Sequence, residues 1–175
     1  HQLRRGDEIR RRFREHPDAP ELAAMLIEQR NCTYSTSANM FATIATLFLR
    51  LMPSPESGLS PLQALEIAAQ RYFEGDYVPM RDTRWRIDAN GNLDLYPLLE
   101  HLIDEGNRDR GAAAFHANLV AGAGQWTIDA CGKNGVHNVV LTGACMSNRL
   151  LAAGLRSLLE RHGLAVYEAK RLPAS

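Results

Sequence analysis

The chain is 175 residues long, enough for one domain with a substantial core, and its 20 Lys and Arg balance its 20 Asp and Glu to a formal net charge of zero. That balance argues against nucleic acid as the principal partner and favours a small molecule or a protein. Cys32, Cys131 and Cys145 form no Cys-x-x-Cys pair and leave one cysteine over, as free thiols of a reducing compartment do, and no stretch approaches the ~18 continuous apolar residues of a membrane span. A cytoplasmic protein without a membrane partner is expected.

Residues 1–17 form an arginine-rich helix or arm, with Ile9 and Phe13 as its one i, i+4 apolar pair, and read as a solvated face before they read as a docking surface for an acidic partner. Pro20 then starts a helix that Asp18 caps, with Leu22, Met25 and Leu26 on one face, ending near Asn31. A hydroxyl-rich turn from Asn31 to Asn39 leads into the apolar run Met40 to Leu49, which predicts a helix whose first N–H groups point into that turn. Ser60-Pro61 supplies a cap and a first-turn proline for the next helix, which carries Leu62, Leu65, Ala68 and Ala69.

Asn90-Gly91, between Trp85-Arg86-Ile87-Asp88 and Leu93-Asp94-Leu95, predicts a small hairpin ribbon. Helices follow over about 96–105 and 108–131; Gly122 and Gly124 inside the second, each costing about 1 kcal/mol relative to alanine, mark a close crossing with another helix. In the last third, Asn138 to Thr142 reads as a buried strand, Gly143 as a turn, Asn148 to His162 as a helix ended by Gly163, and Leu164 to Tyr167 as a second strand. A strand, helix, strand order of this length implies a parallel, right-handed unit in an α/β layered domain. Neither an internal repeat nor a low-complexity linker divides the chain, so residues 1–175 are read as one domain.

In open α/β sheets ligands bind outside the carboxyl ends of strands, where turns expose N–H groups. Thr142 to Arg149 occupies that place: Gly143 lets backbone approach a ligand, and the Asn148 amide offers both a donor and an acceptor. His116, beside Phe115 and Leu119 on an amphipathic helix, reads as a satisfied structural histidine without a catalytic role. Cys145 reads as a small apolar residue, and His101, His137 and His162 lack the spacing of a metal pair.

Several segments carry a resemblance. Val139-Val140-Leu141-Thr142-Gly143-Ala144-Cys145-Met146-Ser147-Asn148-Arg149-Leu150-Leu151 resembles a V-V-L-S-G-G-V segment that ends in N-R-L-L, and Phe115-His116-Ala117-Asn118-Leu119 is similar to an F-H-x-x-L helix. Tyr34 to Ala45 is similar to S-S-x-G-R-L-F-D-A-V-A, and Ala64-Leu65-Glu66 falls at an A-L-E helix. These are motifs of the C-terminal carbamoyltransferase domain of the HypF hydrogenase maturation family, related to the tRNA threonylcarbamoyladenosine transferases. Three positions depart from the pattern: Ala144 and Ala38 stand where the family has glycine, and Ala42 where it has aspartate.

The resemblance implies the second lobe of an actin, hexokinase and Hsp70-like fold, present here as a partial domain. It implies that the parent enzyme uses ATP and carbamoyl phosphate, through carbamoyl-adenylate, to carbamoylate a C-terminal cysteine of a HypE-like acceptor protein. In that arrangement Asn148 contacts the adenosine part, Gly143 and Ala144 line the phosphate or ribose side, and Ser37 and Ala38 contact the nucleotide from the other helix start. The first lobe is a further partner, the metal ion belongs to the full-length protein alone, and this lobe by itself is expected to be inactive. A non-catalytic interaction module of the same fold, or a sugar kinase of the same superfamily, stays open as an alternative.

Overall fold

The computed structural model describes residues 37–51, 55–75 and 83–168, together with positions 8, 11, 12, 14, 15 and 20. The expected helix over 20–31 lies, apart from Pro20, outside the described residues. Within the arginine-rich start the described positions are helical; Arg11 bridges Glu8 (2.6 Å) and Glu15 (2.8 Å) on an exposed face, and Arg12 reaches Asp104 at 3.3 Å.

Among the described residues five α-helices and two strand pairs follow, besides two short 3-10 turns: α1 (Ser37–Phe48), α2 (Pro61–Glu74), β1 (Arg86–Ile87), β2 (Leu93–Asp94), α3 (Tyr96–Asp104), α4 (Arg108–Asn134), β3 (Asn138–Leu141), α5 (Arg149–Arg161) and β4 (Ala165–Glu168). The fold is α/β, as expected. Local sequence accounts for most element ends. Ser60 and Gln63 form a reciprocal capping box at the start of α2, with Pro61 in its first turn, and the Asn107 side chain accepts the Arg110 N–H to open α4. Gly135, at φ 63°, closes α4 in a left-handed conformation that costs glycine little.

The 27-residue α4, about 40 Å long, is the spine. Its first half packs Ala112, Ala113 and Phe115 into a core shared with α1, α2 and α3, where Leu47, Leu65, Leu98 and Leu102 are fully buried. Phe115 stacks on Phe41 with ring centroids 5.5 Å apart. The second half of α4 lies against the β3, α5, β4 unit around Leu141, Leu155 and Leu159.

The unit is the parallel one that the sequence implies, with Val139 opposite Val166 and Val140 opposite Tyr167. Val139 and Val166 pack on the second core, while Val140 and Tyr167 are exposed on the far face. The α4–α5 crossing is close for a reason visible in both helices. A Cβ on Gly124 would overlap the Leu158 side chain, and one on Gly154 would meet Val120 Cγ2 at 2.8 Å, so each helix offers a notch to the other. Gly124 thus marks the expected crossing. Gly122 instead marks the ribbon, since a Cβ there would meet Trp85 at 3.0 Å and Leu93 at 3.1 Å.

The β1–β2 ribbon is antiparallel, as expected, but its loop is longer than a two-residue Asn90-Gly91 turn. The Asp88 N–H donates to the Asn92 carbonyl (3.0 Å), leaving Ala89, Asn90 and Gly91 as the loop, with Gly91 at φ 81°. The Asp88 carboxylate selects this form by accepting the Asn90 and Asn92 N–H groups at 2.8 and 2.9 Å. Trp126 Nε1 donates to the Gly91 carbonyl (2.7 Å), and Asn118 Oδ1 accepts the Arg84 N–H (2.7 Å), so the ribbon is tied to α4 at its tip and at its entry. No helix among the described residues is long and apolar enough to cross a membrane.

Candidate functional site

The segment between β3 and α5 lies at the carboxyl end of a parallel strand, where this architecture exposes its loops. Gly143 sits at φ 98°, ψ 167°, backbone that an L side chain rarely adopts. A single 3-10 turn, Ala144–Ser147, follows it. The Met146 N–H donates to the Gly143 carbonyl (3.0 Å), the Asn148 N–H to the Cys145 carbonyl (3.2 Å), and Ser147 Oγ to the Ala144 carbonyl (2.7 Å). Thr142, Gly143, Ala144 and Ser147 are exposed, whereas Cys145 and Met146 are half-buried and Met146 packs on the second core. Among the described residues no backbone acceptor faces the Ala144 and Cys145 N–H groups, the first two donors of the turn.

Asn148 is bonded into the fold through all of its side-chain polar atoms. Its side chain is 2% exposed and turned inward: Oδ1 accepts the Leu151 N–H (2.9 Å) and caps α5, while Nδ2 donates to the Leu62 carbonyl (3.3 Å) and to His116 Nε2 (2.9 Å). Both amide protons are engaged within the fold, and Oδ1 caps α5. For Nε2 to accept, the ring proton must sit on Nδ1, which then donates to the Ala112 carbonyl at 2.8 Å. Burial pushes the His116 pKa down to about 4, against the Ala112 carbonyl, which favours the charged ring. His116 is therefore the satisfied, neutral, structural histidine expected of it, with a partner that sequence alone did not disclose.

Glu66 completes the junction, its Oε1 accepting the Arg149 N–H at 2.8 Å. The first-turn donors of α5 at Arg149 and Leu151 thus already have a carboxylate and an amide oxygen as acceptors. Among the described residues the N–H groups of Ala144 and Cys145 in the preceding turn, and of Leu150 in α5, have no such acceptor. Three of the segments that carry the resemblance, Ala64-Leu65-Glu66, Phe115-His116 and Asn148 to Leu151, converge on one point between the two cores. No pairwise spacing links residues so far apart in sequence; the signal for Glu66 was its place in a recurring motif.

Ser37 and Ala38 form the first turn of α1; their side chains lie outside the described residues. Ala42, where the resembled segment carries aspartate, is 2% exposed and belongs to the first core, so α1 offers no carboxylate there. Among the described residues no three His, Cys, Asp or Glu side chains are grouped to hold a metal ion.

Comparison with known proteins gives the same direction from another side. The family model described as the second subdomain of the Kae1-like carbamoyltransferase domain matches residues 1–175. The chain is 34% identical to carbamoyltransferase HypF2 of Cupriavidus necator over 99% of its own length and 24% of that protein's. It is 34% identical to a carbamoyltransferase HypF homolog of the same organism over 94% of its length and 44% of the relative's. A carbamoyltransferase HypF of Rhizobium leguminosarum bv. viciae is 40% identical over half of the chain. The chain therefore spans less than half the length of each of these relatives.

Proposed function

The chain belongs to the second subdomain of the Kae1-like carbamoyltransferase domain, and from that membership we propose that it supplies the nucleotide-side lobe of a carbamoyl-transfer site. Its Gly143 to Ser147 turn faces the ligand, and the start of α1 at Ser37 and Ala38 approaches from the other side. The observation that carries this reading is the pair of turn donors at Ala144 and Cys145, which have no backbone acceptor among the described residues and lie at the end of β3, beside an α5 start whose Arg149 and Leu151 N–H groups are taken by Glu66 and Asn148.

In the whole protein the activated group is a carbamoyl-adenylate made from ATP and carbamoyl phosphate. The acceptor is the C-terminal cysteine of a HypE-like protein, whose thiolate sulfur bonds to the carbamoyl carbon as the bond to AMP breaks. This lobe binds and orients the adenylate; the first lobe and the metal ligands come from elsewhere in the polypeptide. Alone, the lobe has half a site and neither excludes water nor aligns the reactants, so carbamoyl-phosphate-dependent ATP turnover by the 175-residue chain is expected to be undetectable.

Titration of AMP into wild type and Ala144→Gly tests the assignment. Wild type should bind weakly, at a Kd of roughly 1 mM, and removal of the exposed methyl should tighten binding about fivefold, equivalent to about 1 kcal/mol. Identical affinities would remove the ligand from this turn. They would favour a non-catalytic interaction module, a reading that the buried, apolar Ala42 already supports.

A further inference from the structure

Asn148 is the last residue of one structure and the first of the next. Its N–H closes the 3-10 turn on Cys145, its carbonyl accepts the Ala152 N–H in α5, and its side chain caps Leu151. Whatever fixes Asn148 therefore fixes the turn and the helix together. An asparagine amide has two orientations that fit the same space, and they exchange acceptor for donor. Only with Oδ1 toward Leu151 is α5 capped; the reversed amide would place N–H against N–H.

His116 decides between them. It is 2% exposed and lies across the core boundary from Asn148, and its Nδ1 proton is fixed by the Ala112 carbonyl one helical turn back. Nε2 is left as a bare acceptor 2.9 Å from the amide nitrogen. With Nε2 and the Leu62 carbonyl both accepting, nitrogen must be the atom on that side and oxygen must face Leu151. A carbonyl alone, at 3.3 Å, is the longer of the two contacts.

We infer that His116 is a positioning residue for the ligand-facing turn: by accepting from Asn148 it selects the amide orientation that holds Gly143 to Ser147 in its donor-presenting form. It touches no ligand itself. Its effect on nucleotide affinity rests on the proposed role of that turn, whereas its effect on the turn does not.

Two substitutions separate the halves of the imidazole. His116→Gln keeps an acceptor near the Nε2 position, and His116→Asn keeps a donor near Nδ1 but stops short of Asn148. Amide hydrogen exchange of Leu151 and Met146 in the protein reads the turn directly. In His116→Asn their protection should fall by tenfold or more, consistent with loss of a buried hydrogen bond, while in His116→Gln it should stay within about threefold of wild type. If wild type binds AMP, affinity should follow the same order, weakened about tenfold in the Asn variant and recovered in the Gln variant.

Unchanged protection in His116→Asn, or equal loss in both variants, overturns the inference. If wild type does not bind AMP, the nucleotide reading fails while the exchange result still decides the positioning role. A measurement on wild type alone guards against unfolded variants: nitrogen-15 shifts of the His116 ring must show the proton on Nδ1. A proton on Nε2 would face the Asn148 amide nitrogen and also overturns the inference.

Discussion

The carboxylate of Glu66 accepts the Arg149 N–H at 2.8 Å, so an acidic side chain from α2 closes the mouth of a helix 83 residues further along the chain. A carboxylate at a helix N-terminus interacts favourably with its unpaired N–H groups and with the positive end of its dipole. Glu66→Ala should therefore lower stability by about 1 kcal/mol. Glu66→Gln, which keeps an acceptor but removes the charge, should cost about half as much at low salt. Urea unfolding of the three proteins reads this; equal midpoints would mean that the contact adds nothing in solution.

Gly143 gives a sharper prediction, because its φ of 98° and ψ of 167° lie in a region that is nearly glycine-only. Beyond its two chain neighbours no atom lies within 4 Å of a Cβ placed there, so a methyl group would meet only its own local backbone. The cost of Gly143→Ala is thus purely conformational, about 1 to 3 kcal/mol, and the turn can relieve it by changing shape. Thermal unfolding should show the loss, and AMP binding should weaken with it. A fully stable alanine variant would mean that the turn is not held in this conformation.

Two glycines inside helices should respond in opposite directions. Gly132 in α4 has nothing within 4 Å of a built Cβ, so Gly132→Ala should stabilise the protein by about 0.5 to 1 kcal/mol through helix propensity. Gly154 in α5 has Val120 Cγ2 at 2.8 Å and Cγ1 at 3.1 Å, both on a branched side chain with few rotamers to retreat into. Gly154→Ala should destabilise by about 1 to 3 kcal/mol. Denaturation midpoints that shift the same way in both would contradict the close α4–α5 crossing.

The contrast between those glycines shows what the sequence discloses and what it withholds. Elements governed by local rules were legible: the Ser60-Pro61 start of α2, the ribbon around Asn90-Gly91, and the strand, helix, strand unit from Asn138 to Tyr167 all stand within a residue or two of where periodicity and capping put them. The side chain of Asn148 was not. As a residue before a helix it fits a cap and as a residue after a strand it fits a ligand contact, and the bonds of its amide to Leu62 and to His116, 32 residues earlier, are visible only in the fold. Glu66 shows the same limit, because a half-exposed glutamate on an amphipathic helix looks like any solvated charge until the tertiary fold brings Arg149 to it.

The buried imidazole of His116 makes stability depend on pH in a window set by its two states. Its folded pKa is lowered to about 4 from an ordinary 6.5, so between those values the unfolded chain binds a proton that the folded chain refuses. Stability then rises with pH across the window: the contribution is complete above about 6.5 and is lost as pH falls toward 4. A separation of that size corresponds to roughly 3 kcal/mol over the full window. Carboxylates add their own acid sensitivity lower down. Burial opposes ionisation of Glu105, yet its ion pair with Arg110 (2.7 Å) and the Asn107 N–H hold its pKa below 4.5. That group acts near and below its ordinary 4.5, whereas His101, 3.6 Å from Glu105, is a second imidazole in the molecule, so the His116 share of the interval from about pH 6.5 to about pH 5 is read by comparison with a His116 variant. Between about pH 7.5 and about pH 5 His116 should contribute a fall in wild-type stability equivalent to about 2 kcal/mol, read from urea midpoints. In His116→Gln, which does not titrate there, the pH dependence should be smaller than that of wild type by about that amount. If the variant keeps the full pH dependence of wild type, the imidazole is not buried in its neutral form and the Asn148 amide is not held by it.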